Sequence, residues 1–334
     1  MEMIQRSHHR RETPLSRAVR GIAMSIALSC ITAWASDALL VIRGAGQAFD
    51  EFVAGLRGEL AQECAISEWT VRQGSTVPDL EKRLQSLHPK AVVLLDNNAI
   101  NLYQRCCAAR KDTTLPPAAI VCMGVMVDRA IAQLPNASAI AYEIPPVTSA
   151  VNLRTVMGTP INRLGIVYRA GMRNFVERSA VLCRKENIEI EPVEISVRYL
   201  GGAAELRSAL YTLFSNKHID ALWAPNDIQI LRPDLIREAW LPMIDKFKKP
   251  VIVGVGPLVD PDMGFGTFSV LPDHTALGAQ AADLVRQARD NGWKFPAPAV
   301  EQPLSVIKTM NLRQYQRWFG ARKADLAGVD KTVR

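Results

Sequence analysis

The sequence predicts an α/β protein made of two doubly wound parallel-sheet lobes joined by a hinge, and three observations carry that reading. Residues 164–227 alternate strand, helix, strand, helix, strand, and stop at Pro225-Asn226-Asp227. Residues 38–142 repeat the same alternation. Between them stands Glu143-Ile144-Pro145-Pro146, a proline-rich crossing. Parallel strands need crossover helices, so this order puts the ligand crevice beyond the carboxyl ends of the strands.

In the second half, Leu164-Gly165-Ile166-Val167-Tyr168 is short, apolar and β-branched, as a buried parallel strand is. After the turn Arg169-Ala170-Gly171, apolar Phe175, Val176, Ala180, Val181 and Leu182 recur at helical spacing, with Arg178, Arg184 and Lys185 on the polar side. A strand over 188–195, a helix over 203–214 and a strand over 219–224 follow. A helix over 233–245 and a strand over 250–255 come next, and 264–270 leads the chain back to the hinge. The remainder reads as a helix over 274–288, a strand over 303–307 and a helical tail from Asn311.

In the first half, strands are expected at 38–42, 68–73, 91–95, 118–124 and 137–142. The helix after the first strand shows Phe49, Phe52, Val53, Leu56 and Leu60 on one face, and further helices are expected at 79–87 and 99–109. Gly44-x-Gly46 follows a strand and opens a helix, but Phe49 stands where a dinucleotide fingerprint needs its third glycine. The turn is read instead as an anion-holding helix start, with Arg43 adding charge. The first lobe therefore spans 36–143, completed by about 270–300, and the second spans 144–269, with a late strand and basic helical tail over 301–334.

Residues 1–20 carry Arg6, Arg10, Arg11, Arg17 and Arg20 against Glu2 and Glu12. The apolar run 21–32 is too short to span a bilayer and ends in the small-x-small site Ala33-Trp34-Ala35. Residues 1–35 are accordingly read as a secretory signal peptide and the protein as periplasmic, with a lipoprotein anchored through Cys30 as the alternative. Cleavage lowers the formal charge from +7 to +4, and the basic tail (Arg313, Arg317, Arg322, Lys323, Lys331, Arg334) lacks the interleaved aromatics of a nucleic-acid surface. Five cysteines remain, Cys64, Cys106, Cys107, Cys122 and Cys183, and an oxidising compartment permits one or two disulfides among them. No metal-ligand spacing, cofactor motif or nucleophile–base constellation is present, so neither metal, cofactor nor enzyme activity is expected. His218 and His274 stand alone in the sequence and are read as surface or capping residues.

A crevice that buries both polar ends of a small ligand needs convergent donors and acceptors. Strand-end position selects Arg43, Gln47, Asp96, Asn97 and Tyr142 from the first lobe and hinge, and Arg169, Asn174, Asn226 and Asp227 from the second. Asp96 is equally well placed to cap the helix after it.

Several segments carry a family resemblance spanning about Leu39 to Leu312: 164–168, the run Ile219-Asp220-Ala221-Leu222-Trp223-Ala224-Pro225-Asn226-Asp227, Lys249-Pro250-Val251-Ile252, 276–282 and 306–312. The chain resembles the ABC-transporter substrate-binding proteins similar to tryptophan- and tyrosine-binding components. That resemblance implies a type I periplasmic binding protein fold and capture of a small organic ligand, an amino acid or a related compound, by hinge closure. It implies an inner-membrane ABC permease as partner, or a membrane sensor kinase if the same fold serves signalling, and it gives Asp227 the role of pairing an amino group. The pattern also departs from the family: Gly254-Val255-Gly256-Pro257-Leu258 offers no side chain for an ammonium, Arg43-Gly44-Ala45 replaces an acid and a histidine, and Leu271-Pro272-Asp273-His274 replaces a tyrosine pair. Repressors of this fold need a helix-turn-helix where this chain has its leader.

Overall fold

The computed structural model describes residues 37–110, 114–196, 202–320 and 324–334; the expected signal peptide with Cys30, and the tail residues Arg322 and Lys323, lie outside them. The first lobe runs β1 (Asp37–Arg43), α1 (Gln47–Leu60), β2 (Cys64–Thr70), α2 (Val77–Leu87), β3 (Ala91–Leu95), α3 (Asn97–Ala109), β4 (Ala118–Cys122), α4 (Val127–Ile131) and β5 (Ala137–Ile140). The second begins with α5 (Pro146–Met157), β6 (Arg163–Arg169), α6 (Arg173–Lys185), β7 (Glu189–Ile195), α7 (Ala203–Tyr211) and β8 (Ala221–Ala224). It continues through α8 (Pro233–Leu235), α9 (Leu241–Phe247), β9 (Val251–Val253) and β10 (Phe268–Pro272). Then come α10 (His274–Asp290), β11 (Val300–Glu301), β12 (Val306–Asn311), α11 (Leu312–Phe319) and β13 (Lys331–Val333).

One sheet has the order β11-β5-β4-β3-β1-β2 and the other β13-β12-β10-β9-β8-β6-β7. The inner five strands of each follow one scheme, in which the second strand lies outside the first and the third lies on its other side. The two α/β sheets are the doubly wound architecture read from the sequence. Among the described strands the β10–β12 pair is antiparallel and the rest are parallel. Strands β3 and β4 are buried at every position, as parallel strands covered on both faces must be.

Some boundaries differ from expectation for local reasons. Strand β2 starts at Cys64 rather than 68; as an edge strand it buries only Cys64 and Trp69 fully, so its apolar signal is thin. Residues 268–272 form an interior strand of the second sheet, between β9 and β12, and the return to the first lobe comes after it. The helix over 233–245 is interrupted by a π-helical turn, Ile236–Trp240, just before Pro242, whose ring and missing N–H disrupt a regular ladder. The five described cysteines are free thiols. Cys64 on β2 and Cys122 on β4 share a core, yet three strand spacings separate their strands, about 14 Å and too far for a disulfide.

Helix α10 belongs to the first lobe although it follows the second in sequence. It packs on α1 with almost no clearance: a Cβ on Gly278 would lie 2.0 Å from the Phe52 carbonyl oxygen, and one on Gly55 would lie 1.9 Å from that of Thr275. Both contacts are to backbone, which cannot rotate away. Gly278→Ala should therefore destabilise the chain by about 1–3 kcal/mol, the usual overpacking cost, or more. Gly58→Ala, in the same α1 helix with open space around it, should stabilise by about 0.5–1 kcal/mol. Urea unfolding of both variants beside the parent chain measures the contrast.

Candidate functional site

In an open α/β sheet the strand order reverses at a switch point, where neighbouring crossovers diverge and leave a crevice. In the first lobe the reversal falls between β1 and β3, and in the second between β6 and β8. Arg43 ends β1 and Asp96 follows β3, while Arg169 ends β6 and Asn226-Asp227 follows β8. The two arginines thus occupy equivalent backbone positions, but their side chains go to different places.

In the second lobe Arg169 and Asp227 form a two-pronged pair, Nε to Oδ2 at 2.7 Å and Nη2 to Oδ1 at 2.8 Å. The Gln229 N–H also donates to Asp227 Oδ1 at 2.9 Å. Asp227 is buried, 6% exposed, whereas Arg169 is 36% exposed. The amino-group role implied for Asp227 is therefore already filled by the chain's own guanidinium, and Asp227 acts as the brace that orients Arg169. Among the described residues Arg169 Nη1 makes no hydrogen bond, so the lobe presents a pre-oriented cationic edge.

In the first lobe Arg43 turns to acids of its own lobe instead, pairing with Glu68 at 2.7 Å and Asp50 at 2.8 Å, while Arg57 shares Glu68 at 2.8 Å. Its charge is spent within the lobe, so the expected anion turn at Gly44 has no free arginine beside it. Gln47 donates to Glu51 on the exposed face of α1. Asp96 caps α3 through the Ala99 N–H at 2.8 Å and adopts φ 84° and ψ 164°, a conformation otherwise reserved for glycine. It presses on Gly44, where a Cβ would sit 2.6 Å from its Oδ2. Burial raises the pKa of Asp96, partly offset by backbone N–H groups of Ala99, Asn98 and Gly44. The Asn97 amide clamps the backbone of Val125, accepting at 2.7 Å and donating at 3.4 Å. Asn174 lies exposed on α6.

The chain crosses between the sheets three times: from β5 to α5, from β10 to α10, and from β11 to β12. The crossings are tied together. His274 meets Tyr142 Oη at 3.0 Å and Glu51 Oε2 at 3.1 Å, so it is a link between two crossings and α1 rather than an isolated residue. Its hydrogen bond is the main reason the Glu51 carboxyl titrates below its ordinary range, and burial pushes Tyr142 up to about 12. Gln280 holds the third crossing through Glu301, the Gln302 carbonyl and the Leu304 N–H. Tyr142 and Asn226 line one small hollow here with Glu143, Trp223, Gly254 and Leu271. Of the nine residues selected from the sequence, the structure thus brings Arg169 together with Asp227, and Tyr142 with Asn226. It leaves Gln47 and Asn174 exposed on lobe surfaces and Arg43 half-buried among the acids of its own lobe.

Glu143 escaped selection because its only sequence signal is a place beside two prolines. Its carboxyl accepts from the Met126 N–H at 2.7 Å, and burial with nearby Asp128 pushes it up to about 7. No cation pairs with it among the described residues, nor is any group of three or more His, Cys, Asp or Glu placed there to hold a metal ion. The lobes touch through Arg178–Asp128 at 2.8 Å and through Arg129 to the Gly171 carbonyl at 3.4 Å.

Neither a protein-family model nor a curated protein matches the sequence. Solved structures do. A ligand-free, open substrate-binding protein with adhesive properties from Clostridium difficile, CD0873, aligns over 89% of this chain and 100% of its own, with TM-score 0.63 and 11% identity. An ABC domain in complex with L-Trp from Streptococcus pneumonia covers the same shares, with TM-score 0.57 and 17% identity. The XylFII–LytSN complex aligns over 82% of this chain and 97% of that one, with TM-score 0.53 and 10% identity. At these identities the likeness is one of fold: the chain has the type I periplasmic binding protein fold.

The Glu143 carboxyl has a sign that can be tested. Its folded pKa, about 7, lies above the ordinary 4.5, so between those values the folded chain holds a proton that the unfolded chain has lost. Stability contributed by this group is present at pH 4 and lost as pH rises toward 8, by about 3 kcal/mol. Glu143→Gln should match the parent near pH 4 and exceed it increasingly up to pH 8 in urea unfolding.

Proposed function

We propose that the chain is a periplasmic, non-enzymatic solute-binding protein, exported by its leader, that captures a small organic ligand between its lobes for an inner-membrane ABC-type importer. The observation that carries this reading is the Arg169 guanidinium, held by buried Asp227 at the switch point of a lobe joined to its twin by three crossings. A brace of that kind leaves one edge of the guanidinium for an outside anion, and Asn226 beside it adds an amide. A ligand bearing a carboxylate, an amino acid or a related compound, suits that pair. No acid on 254–258 competes for an ammonium, so the positive end of a zwitterion would have to be met from the first lobe.

Binding of this kind requires motion. The hollow lined by Tyr142 and Asn226 has room for about 20 Å³, the space of a single water, so a solute that reaches this hollow enters it only when the lobes part. The Arg178–Asp128 contact that bridges them is 58% and 40% exposed, and exposed pairs contribute little, so parting costs little. A ligand touching both lobes then shifts the population toward closure by its differential affinity.

Sensing is the second reading, favoured by the likeness in fold to a binding protein seen in complex with LytSN. Thermal-shift screening against amino acids, carboxylates and nucleosides tests the common core of both. A true ligand at a hundred times its Kd should stabilise the chain by about 2.7 kcal/mol. Arg169→Ala should abolish that shift and Arg43→Ala should preserve it; equal loss in both would remove the site from the switch point of the second lobe. Gene deletion separates the roles: loss of ligand uptake marks an importer, and loss of ligand-induced transcription with intact uptake marks a sensor.

A further inference from the structure

We propose that a lateral groove between the lobes, separate from the switch point that holds Arg169, binds a primary amine with an apolar, aromatic-sized body. The groove encloses about 530 Å³, within the range of small-molecule sites. One wall is from the first lobe, at Val127 and Val300, and the other from α6, at Phe175, Val181 and Leu182, with Glu143 between them. It shares with the hollow at Tyr142 and Asn226 the single residue Glu143.

Two independent features point to an occupant. The first is apolar surface that the fold does not use. Helix α6 buries Val176, Ser179 and Cys183, one face at helical spacing, so Val181 and Leu182 lie off that face and stand 52% and 40% exposed. Val300, on the opposite wall, is 37% exposed. Three of the exposed large apolar side chains of the described residues thus converge on one groove, where a guest would cover them.

The second feature is charge. Asp128 and Arg178 line the groove and satisfy each other at 2.8 Å. That leaves the Glu143 carboxyl, which takes the Met126 N–H at 2.7 Å and has no cationic partner among the described residues. An ammonium supplies the missing partner and holds the carboxylate in its ionised form. A carboxylate guest would face like charge, and a neutral guest would leave Glu143 without a counter-charge. One cationic head on one apolar body is the complement of this lining.

Because the walls belong to different lobes, a guest here biases the hinge as well as filling the groove. The site therefore tunes the closure on which solute capture depends.

Calorimetric titration of the purified chain at pH 8 with 2-phenylethylamine, 2-phenylethanol and 3-phenylpropionate tests the assignment. The amine should bind one to one, about tenfold or more tighter than the alcohol, and the acid should not bind. Leu182→Lys, a change on the solvent side of α6, should weaken the amine about tenfold, and Glu143→Gln should reduce it to the level of the alcohol. Arg169→Ala should leave amine binding unchanged while removing the response to a cleft solute. An amine no tighter than the alcohol, or one lost in Arg169→Ala and kept in Leu182→Lys, overturns the groove and leaves the cleft reading standing.

Discussion

The backbone-to-backbone approach of α1 and α10 is the contact on which the two-lobed form depends. Gly55 and Gly278 let the helices meet with no side chain between them, and this fastens residues 274–290 to a lobe that the chain left at residue 143. The late chain must then cross back to finish the second sheet with β12, which makes three crossings instead of one. Three short connections therefore join the lobes, and the proposed closure would have to bend all three together. His274, at the first position of α10, inherits its place from the same packing. It can reach Tyr142 and Glu51 only because α10 lies on α1.

The lobes share one strand order, yet their switch points have diverged in chemistry. At the end of β1, Arg43 finds acids on its own lobe, Glu68 on the neighbouring edge strand and Asp50 in the first turn of α1. At the end of β6, Arg169 finds its acid across the switch point, in the loop after β8. The consequence is electrostatic. One arginine is half-buried and consumed by two acids of its own lobe; the other is aimed by a buried carboxylate and retains donors for something else. Identical backbone topology therefore yields one cationic switch point and one built on backbone, Asp96 and the Asn97 clamp.

How much of this was legible in the sequence follows the reach of each signal. Strands β3, β4 and β6 are fully buried or nearly so, and burial on both faces writes itself as unbroken apolar runs such as Ala91-Val92-Val93-Leu94-Leu95. Edge strand β2 and the two- and three-residue strands β11 and β13 bury little, so their residues carry no comparable pattern. Strand-end position selected both Arg169 and Asp227, but that they pair with each other depends on geometry across 58 residues. The same limit hid His274, whose partners lie 132 and 223 residues away. It also hid Glu143, whose character comes from what surrounds it and not from its neighbours in the chain.

Glu143 is where these threads meet. A carboxyl on a crossing segment, desolvated and without a cation, opposes its own ionisation, and a fold selected for stability alone would have had a glutamine do the same hydrogen bonding. Its position gives the acid a reason that stability does not. It is the one residue lining both the small hollow at Tyr142 and Asn226 and the lateral groove, and it sits on the first of the three segments that connect the lobes. A charge that is costly when unpaired and relieved when paired makes the crossing sensitive to whatever cation lies on either side of it. The energetic tension at one side chain can thus be read by both spaces, through the segment that joins the two lobes.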